Sequence, residues 1–434
     1  MRDDFRLSVE WESISASEGD EIRATWARFS LLVGAYPVTR VLDANTKSYR
    51  DHILIPLYPI AEWLVAHWWQ LLYEPQAPWR PSYDRRHNLR FGREGYLFPD
   101  LWVESLDDTV QLTWRASDLS DTVAFVGSGS LSISHEDVRQ SLVQWIELVI
   151  SRLEQADIQD TFLQREWQAI EQVDGEEKEF CIACARMGMD PYQVPKALAE
   201  QVVHAGRHVP TDCHLEFFSA LQLEDVASAA NDVAKARDGL ACQMVDLSSL
   251  AALARGKPKD ITVAGTEPWE QGYRLAAWLR QRLDARSDPL PDDAHLSRLL
   301  SLDQLPIHQS YETSRHHWLD ALAECNDAHL GGVMTASPHP TGRRFAFGRA
   351  LCEMLADPCA TTLVTTARTA RQKRNRAFAA ELLAPAEWLR QQHLDSYIDL
   401  DALQSSAQAL GVSEHVVSRQ LQNHHIGYVA WDVA

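Results

Sequence analysis

The chain of 434 residues is missing the marks of several common function classes. It has no Walker phosphate loop, no Rossmann fingerprint and no Gly-x-Ser-x-Gly elbow, so the familiar nucleotide-binding and serine-hydrolase signatures are absent. "GSGS" at 127–130 lacks the helix spacing a phosphate loop needs and reads as a turn. There is no fixed-period repeat and no low-complexity tract. Positive charge is in deficit: 41 Lys and Arg against 61 Asp and Glu give a formal net charge of −20. Such a surface repels phosphate backbones, so nucleic acid would need a local basic patch. Seven cysteines, odd in number and scattered, make no disulfide framework and fit a reducing cytoplasm. The opening residues, "MRDDFRLSVEWES", carry no apolar signal core. The long apolar stretch 53–73 contains Glu62, His67, Gln70 and two prolines. It reads as a buried strand running into a buried helix over 60–73, and no membrane partner is expected.

What is present points to an α+β protein, with 45% apolar residues to build its cores. Residues 1–155 form an N-terminal mixed α/β domain. Its β-like runs are "VTRVLD", "HILIPL", "LWVESL", "TVQLTW" and "TVAFVG", and a helix over 135–154 is capped by Ser134. Residues 156–260 read as a helical domain or connector. Residues 261–434 form a mainly helical third domain. Its first helix is capped by Thr266, with Pro268 in the first turn and Leu275, Leu279 and Leu283 stacked along one side.

Two stretches of this third domain carry a specific pattern. "RRFAFGRAL" at 343–351 and "NRAFAAELLAP" at 375–385 are followed by "LQSSAQALGVSEHVVSRQLQNH". In that order they resemble the ImmA/IrrE family of bacterial metallo-endopeptidases, over roughly 310–430. The resemblance implies a zincin-like domain in which Arg-Phe leads into His-Glu-x-x-His on a helix. A carboxylate ligand then precedes a Phe-Ala-Ala-x-Leu-Leu-x-Pro helix, and a tail with a Gly-Val-Ser turn follows. In the family such peptidases often cleave a repressor in phage, mobile-element or stress regulation.

A catalytic zinc needs three protein ligands and a base that deprotonates its water. Here the first histidine position is Arg349, the base position is Ala350, and the second histidine position is Glu353. The segment that should bring the third ligand, 371–376, includes Gln372 and no carboxylate, and no histidine occurs from 340 to 392. The expectation is a pseudo-peptidase: no enzyme at this site, no metal and no cofactor. The replacements are basic, namely Arg343, Arg344, Arg349, Arg368, Arg371, Lys373, Arg374 and Arg376 against Glu353 and Asp357. One reading is a solvated helix entrance. The other is a basic rim that binds an anion or a protein partner with an acidic segment. Arg349 and Glu353, four residues apart, are expected to pair.

Other candidates compete. Residues 409–425 have the outline of a helix-turn-helix, with a turn at Gly411, a cap at Ser413, and His415, Arg419, Gln422 and Asn423 available to read DNA. The same outline serves structural packing. Cys181 and Cys184, with Cys213 and His214 downstream, have the spacing of half a zinc site or of core thiols. The adjacent pairs His316–His317 and His424–His425 are no ready chelates, because neighbouring helical residues point apart. The segment 79–102 mixes Arg80, Arg85, Arg86, His87, Arg90 and Arg93 with Trp79, Tyr83, Phe91, Tyr96 and Phe98. It is either a base-stacking loop or a connection anchored by its aromatics. The functional expectation is a non-catalytic regulatory or protein-interaction protein of a bacterial cytoplasm. The alternatives are a DNA-binding regulator acting through 409–425, and an enzyme with a site in the N-terminal half.

Overall fold

The structure is a computed structural model that describes residues 5–14, 19–77, 82–117, 122–221, 226–258, 261, 267–309, 318–393 and 397–429. The chain is an α+β protein of two compact units, Met1–Lys196 and Ala197–Ala434. The expected helical middle is therefore not a unit of its own. Leu163, Trp167, Ile170, Cys181 and Ala185 join the N-terminal core, whereas Leu247 and Leu250 join the C-terminal one. Amphipathic helices bury their apolar stripes against whichever core is within reach, and this segment is divided between two.

In the N-terminal unit, Trp26–Val33 is the centre of an antiparallel sheet, pairing with Phe5–Trp11 in the register Phe5↔Val33 and with Ile53–Pro56. Asp100–Leu106, Thr109–Arg115 and Gly129–Ser134 form a second antiparallel sheet. Helix His135–Gln155 starts where Ser134 accepts a hydrogen bond from the Asp137 backbone N–H, as the sequence predicts. It buries Leu142, Trp145, Ile146 and Val149, and the Trp145 ring meets Phe29 and Phe98. The stretch 53–73 is a strand followed by two helices, Tyr58–Ala66 and Trp68–Tyr73. The expected single helix is interrupted at His67, whose ring bonds the Trp63 carbonyl one turn back at 2.9 Å. Among the described residues no helix is long and apolar enough to cross a membrane.

In the C-terminal unit, helix α1 (Pro268–Arg282) precedes a sheet that the sequence reading missed. Its strands are β1 (Leu319–Cys325), β2 (Leu330–Thr335) and β3 (Thr361–Thr365). Strand β1 lies between the other two, antiparallel to both. Val245–Asp246 and Ile307–Gln309 also pair with β2. Helix α2 (Pro340–Ala356) links β2 to β3, and α3 (Ala370–Leu383) follows β3. The tail holds α4 (Leu400–Leu410) and α5 (Glu414–Asn423). Thr266 lies outside the described residues; the residue before α1 is Glu267, with Pro268 in the first turn as expected.

Candidate functional site: a cleft floored by arginine

Helices α2 and α3 are buried on more than one side, because they lie between the sheet, α1 and each other. Phe347, Leu351 and Leu355 of α2 share a core with Phe378, Leu382 and Leu383 of α3. The approach is close: a Cβ on Gly348 would lie 3.2 Å from that of Ala379. Helix α1 crosses α3 more closely still, since a Cβ on Gly272 would meet the Arg374 carbonyl at 2.2 Å. Only glycine fits there. The chain that leads into α3 is fixed by Thr369, whose hydroxyl accepts from the Gln372 N–H at 3.2 Å and donates to the buried Glu216 at 2.9 Å.

Arg349 is 3% exposed and its guanidinium is fully engaged. Nε donates to Asn375 Oδ1 at 2.8 Å and Nη1 to Asp320 Oδ2 at 2.5 Å. Nη2 donates to the Thr365 carbonyl at 2.7 Å and to Gln372 Oε1. One side chain thus joins α2, β1, the end of β3, and α3. Burial pushes Arg349 down from its usual value, and Asp320 opposes that shift. Gln372 completes the network: its Oε1 accepts from the Thr365 N–H and its Nε2 donates to the Leu363 carbonyl, both at 3.0 Å. Residues 363 and 365 turn their backbone groups away from β1, so the Gln372 amide substitutes for a neighbouring strand. The outer edge of β3 is closed by a side chain.

The expected Arg349–Glu353 pair does not form. Glu353, 1% exposed, accepts instead from Arg374 Nη2 at 2.8 Å and Arg371 Nε at 3.2 Å. Arg374 also holds Asp357 at 2.7 Å. Burial works against the charged state of Arg371 and Arg374, but the surrounding negative groups, Glu353 foremost, together outweigh it, and both are raised. Two charge-assisted hydrogen bonds from the facing helix, both to Oε2, outcompete a neighbour on the same helix.

The picture of eight basic residues lining a rim is corrected in the same way. Arg344, Arg349 and Arg374 are buried. Arg344 donates to the carbonyls of Leu290, Pro291 and Gly411 and so ties α2 and the α4–α5 turn to the loop after α1. Arg343 donates to the Pro338 carbonyl at 2.9 Å, and Arg368 is exposed. Buried guanidiniums need acceptors for all their N–H groups, and the carbonyls at strand and helix ends supply them. Of the eight, Arg349, Lys373 and Arg376 border the cleft described next.

That cleft measures about 1230 Å³ and lies between α1, α2, α3 and α5. Arg376 and Arg349 are on its floor, and both donate to the Thr365 carbonyl, Arg376 at 2.9 Å. Burial, with Arg349 close by, brings Arg376 down to about 9. The α5 wall carries His415, Arg419 and Asn423. Gly411 is left-handed (φ 62°) and Ser413 accepts from the Val416 N–H, so the turn and cap are those expected of a helix-turn-helix. Yet Asn423 donates to the Tyr273 hydroxyl of α1 at 3.1 Å, and Arg419 donates to Gln422 at 3.1 Å. Their face is one wall of a cleft. Sequence reasoning missed Trp269, Tyr273 and Asp320, for which no local signal exists.

The remaining candidates fall apart. Cys181 and Cys184 are buried thiols, pushed up to about 12 by burial, in the N-terminal unit, while Cys213 belongs to the C-terminal one. Cys213 donates to the Thr361 carbonyl. His424 packs on the Tyr273 ring and faces Glu381, with His425 exposed beside it. His316 and His317 lie outside the described residues, as do Trp79 and Arg80 of the basic loop. That loop spends two of its arginines internally: Arg86 chelates Glu74 and Arg90 pairs with Asp100, and Tyr83 and Phe98 are buried anchors. Among the described residues, no group of three or more His, Cys, Asp or Glu is placed to hold a metal. No protein-family model matches the chain, and no curated protein matches it.

Proposed function

We propose that the C-terminal unit is a metallopeptidase-like domain that has exchanged metal chemistry for a binding role. The protein then acts as a non-catalytic regulatory or interaction protein, in the manner of the ImmA/IrrE-like pattern at 343–385. The observation that carries this reading is Arg349. Where the pattern calls for the first histidine, a guanidinium spends its N–H groups on Asp320, Thr365, Gln372 and Asn375. A zinc ion does not fit beside it, because a fixed cation is there already, the one carboxylate it touches among the described residues, Asp320, is held by that cation, and the other groups are amides and a backbone carbonyl. Ala350 offers no base, and Glu353 is committed to Arg371 and Arg374. The cleft above it nevertheless remains open, which suits capture of a partner without cleavage. A DNA-binding role for α5 has less support, since its polar face borders that cleft and bonds α1.

Two measurements test the reading. The purified protein is expected to hold no stoichiometric zinc, and one zinc per chain that is lost in Glu353→Ala overturns it. The combined variant Arg349→His, Ala350→Glu, Glu353→His, Gln372→Glu restores ligands at i and i+4 with a carboxylate on α3. It is expected to take up one zinc per chain. A folded variant that takes up none removes the metallopeptidase-like ancestry from the account.

A further inference from the structure

Resting on that reading of a cleft without a metal, we propose that its occupant is an acidic polypeptide segment. One carboxylate is received by Arg376 on the floor and another by Arg419 on the α5 wall. The first ground is charge balance. Four cationic side chains, Arg349, Lys373, Arg376 and Arg419, line the cleft against two carboxylates, Asp320 and Glu270. Both carboxylates have partners already: Asp320 holds Arg349, and Glu270 lies 3.5 Å from Arg274. Arg376 gives its N–H groups to the Ala367 and Thr365 carbonyls, and among the described residues no carboxylate pairs with it. Two guanidiniums thus share one backbone oxygen, and among the described residues Asp320 is the one carboxylate in contact with either, an arrangement that a bound anion relieves. Arg419 is exposed and, among the described residues, bonds only the neutral Gln422.

The second ground is the form of the site. The first turns of α2 and α5 both open on the cleft, at Thr341 and Gly342 and at Ser413 and His415, and their free N–H groups add positive potential. A volume of about 1230 Å³ exceeds what a single oxyanion or a typical small ligand fills. Trp269, 43% exposed, and Phe345 supply an apolar surface for the residues that flank a carboxylate. Because Gln372 closes the edge of β3, the segment cannot add as a strand there. Recognition falls to side chains, which favours a charged sequence over a merely extended one. The overall charge of −20 does not oppose this at close range, since salt screens beyond about 8 Å at physiological ionic strength.

The test uses the full-length protein and a short fluorescein-labelled peptide of alternating Glu and Leu, titrated by anisotropy. Its Gln-for-Glu counterpart, inorganic phosphate and duplex DNA serve as competitors. The Glu peptide is expected to bind at least about tenfold tighter than the Gln peptide, and Arg419→Glu to weaken it about tenfold, more strongly at low salt. Arg419 is exposed, so this variant keeps its fold. Arg376→Gln, checked by thermal melting, should lose affinity as well. Equal binding of the Gln peptide, or no effect of Arg419→Glu, overturns the proposal. Displacement by millimolar phosphate alone assigns the site to small anions and also overturns it. Tighter binding of duplex DNA hands the α5 face to the DNA reading. Zinc content is measured separately, so failure of the peptide test leaves the metal-free reading standing, and the converse holds.

Discussion

Both units bury charge, and the Glu74 cluster of the first and the Arg349 cluster of the second are built in opposite senses. In the N-terminal unit a carboxylate is at the centre. Glu74, without exposed surface, is chelated by Arg86 at 2.8 and 2.9 Å and reached by His87 Nε2 at 3.2 Å. His87 is itself fully buried, bonded through Nδ1 to the Val103 carbonyl and stacked on Tyr83. In the C-terminal unit the Arg349 guanidinium is at the centre, and Asp320, its one charged partner among the described residues, remains 41% exposed. A second guanidinium, Arg376, shares an acceptor with it and, among the described residues, has only carbonyls for partners. The first cluster balances its carboxylate with buried donors and reads as structure. The second is unbalanced toward a cleft. Burial of charge does not by itself mark a functional site; incomplete compensation facing a cavity does.

The comparison breaks most sharply at its centres. Arg349→Leu strands Asp320, Gln372 and the Thr365 carbonyl, and a loss of about 3–5 kcal/mol is expected in urea unfolding. Arg349→Lys should recover little of it, because an ammonium cannot span the four acceptors. A loss below about 1 kcal/mol for the Leu variant would mean the network contributes almost nothing and the cluster tolerates being opened.

Glu74 is the counterpart, and it titrates. Burial acts to raise it, but hydrogen bonds from His87 and Arg86 win and hold it at about 2, below the usual 4.5. A depressed carboxylate contributes stability that is complete above its unfolded value and is lost as pH falls through the folded one. The window therefore runs from about 4.5 down to about 2, with about 3 kcal/mol at stake. Glu74→Gln should be less stable than wild type at neutral pH, and the gap should narrow as pH drops from 5 toward about 3. A gap that stays constant would detach the carboxylate's charge from the effect.

A third and smaller effect isolates the edge of β3. Gln372→Ala leaves the Leu363 carbonyl and the Thr365 N–H without their side-chain partner, for about 1–3 kcal/mol. Hydrogen exchange at Thr365 should rise with it, and an unchanged Thr365 amide would show that the edge is protected by something else.

How much of this was legible in the sequence follows the same division between local and long-range information. The 135–155 helix, its Ser134 cap, the Gly411 turn and the Ser413 cap were readable, because each depends on neighbours within a turn. The packing of "FAAELL" against α2 was readable from its apolar positions. The strand "LDALAEC" was not, since its Leu and Ala content suits a helix and only its pairing with two neighbours makes it a strand. The charged run at 343–376 misled most. Spacing on a helix suggested that Arg349 meets Glu353 and that the cations face water, but α3 brings Arg371, Gln372, Arg374 and Asn375 onto the same helix from outside. Nothing in a local window reports that.

The smallest expected effect lies within that same run and sharpens the contrast. Arg374→Glu places a third carboxylate beside the buried Glu353 and the exposed Asp357, and should cost several kcal/mol, roughly the 3–5 of a broken buried pair. Arg343→Glu, on the adjacent helix, should change stability by less than about 0.5 kcal/mol. It loses one hydrogen bond to the Pro338 carbonyl, but it puts a negative charge near the first turn of α2, where the helix dipole favours it by about 0.3–1 kcal/mol. Arg343 does not line the cleft, so capture of the acidic peptide should also be unchanged. If instead both reversals were mild, the run would be a solvated surface after all. If Arg343→Glu abolished peptide binding while Arg419→Glu did not, the recognition surface would belong to the outer rim of α2 and not to the arginine floor.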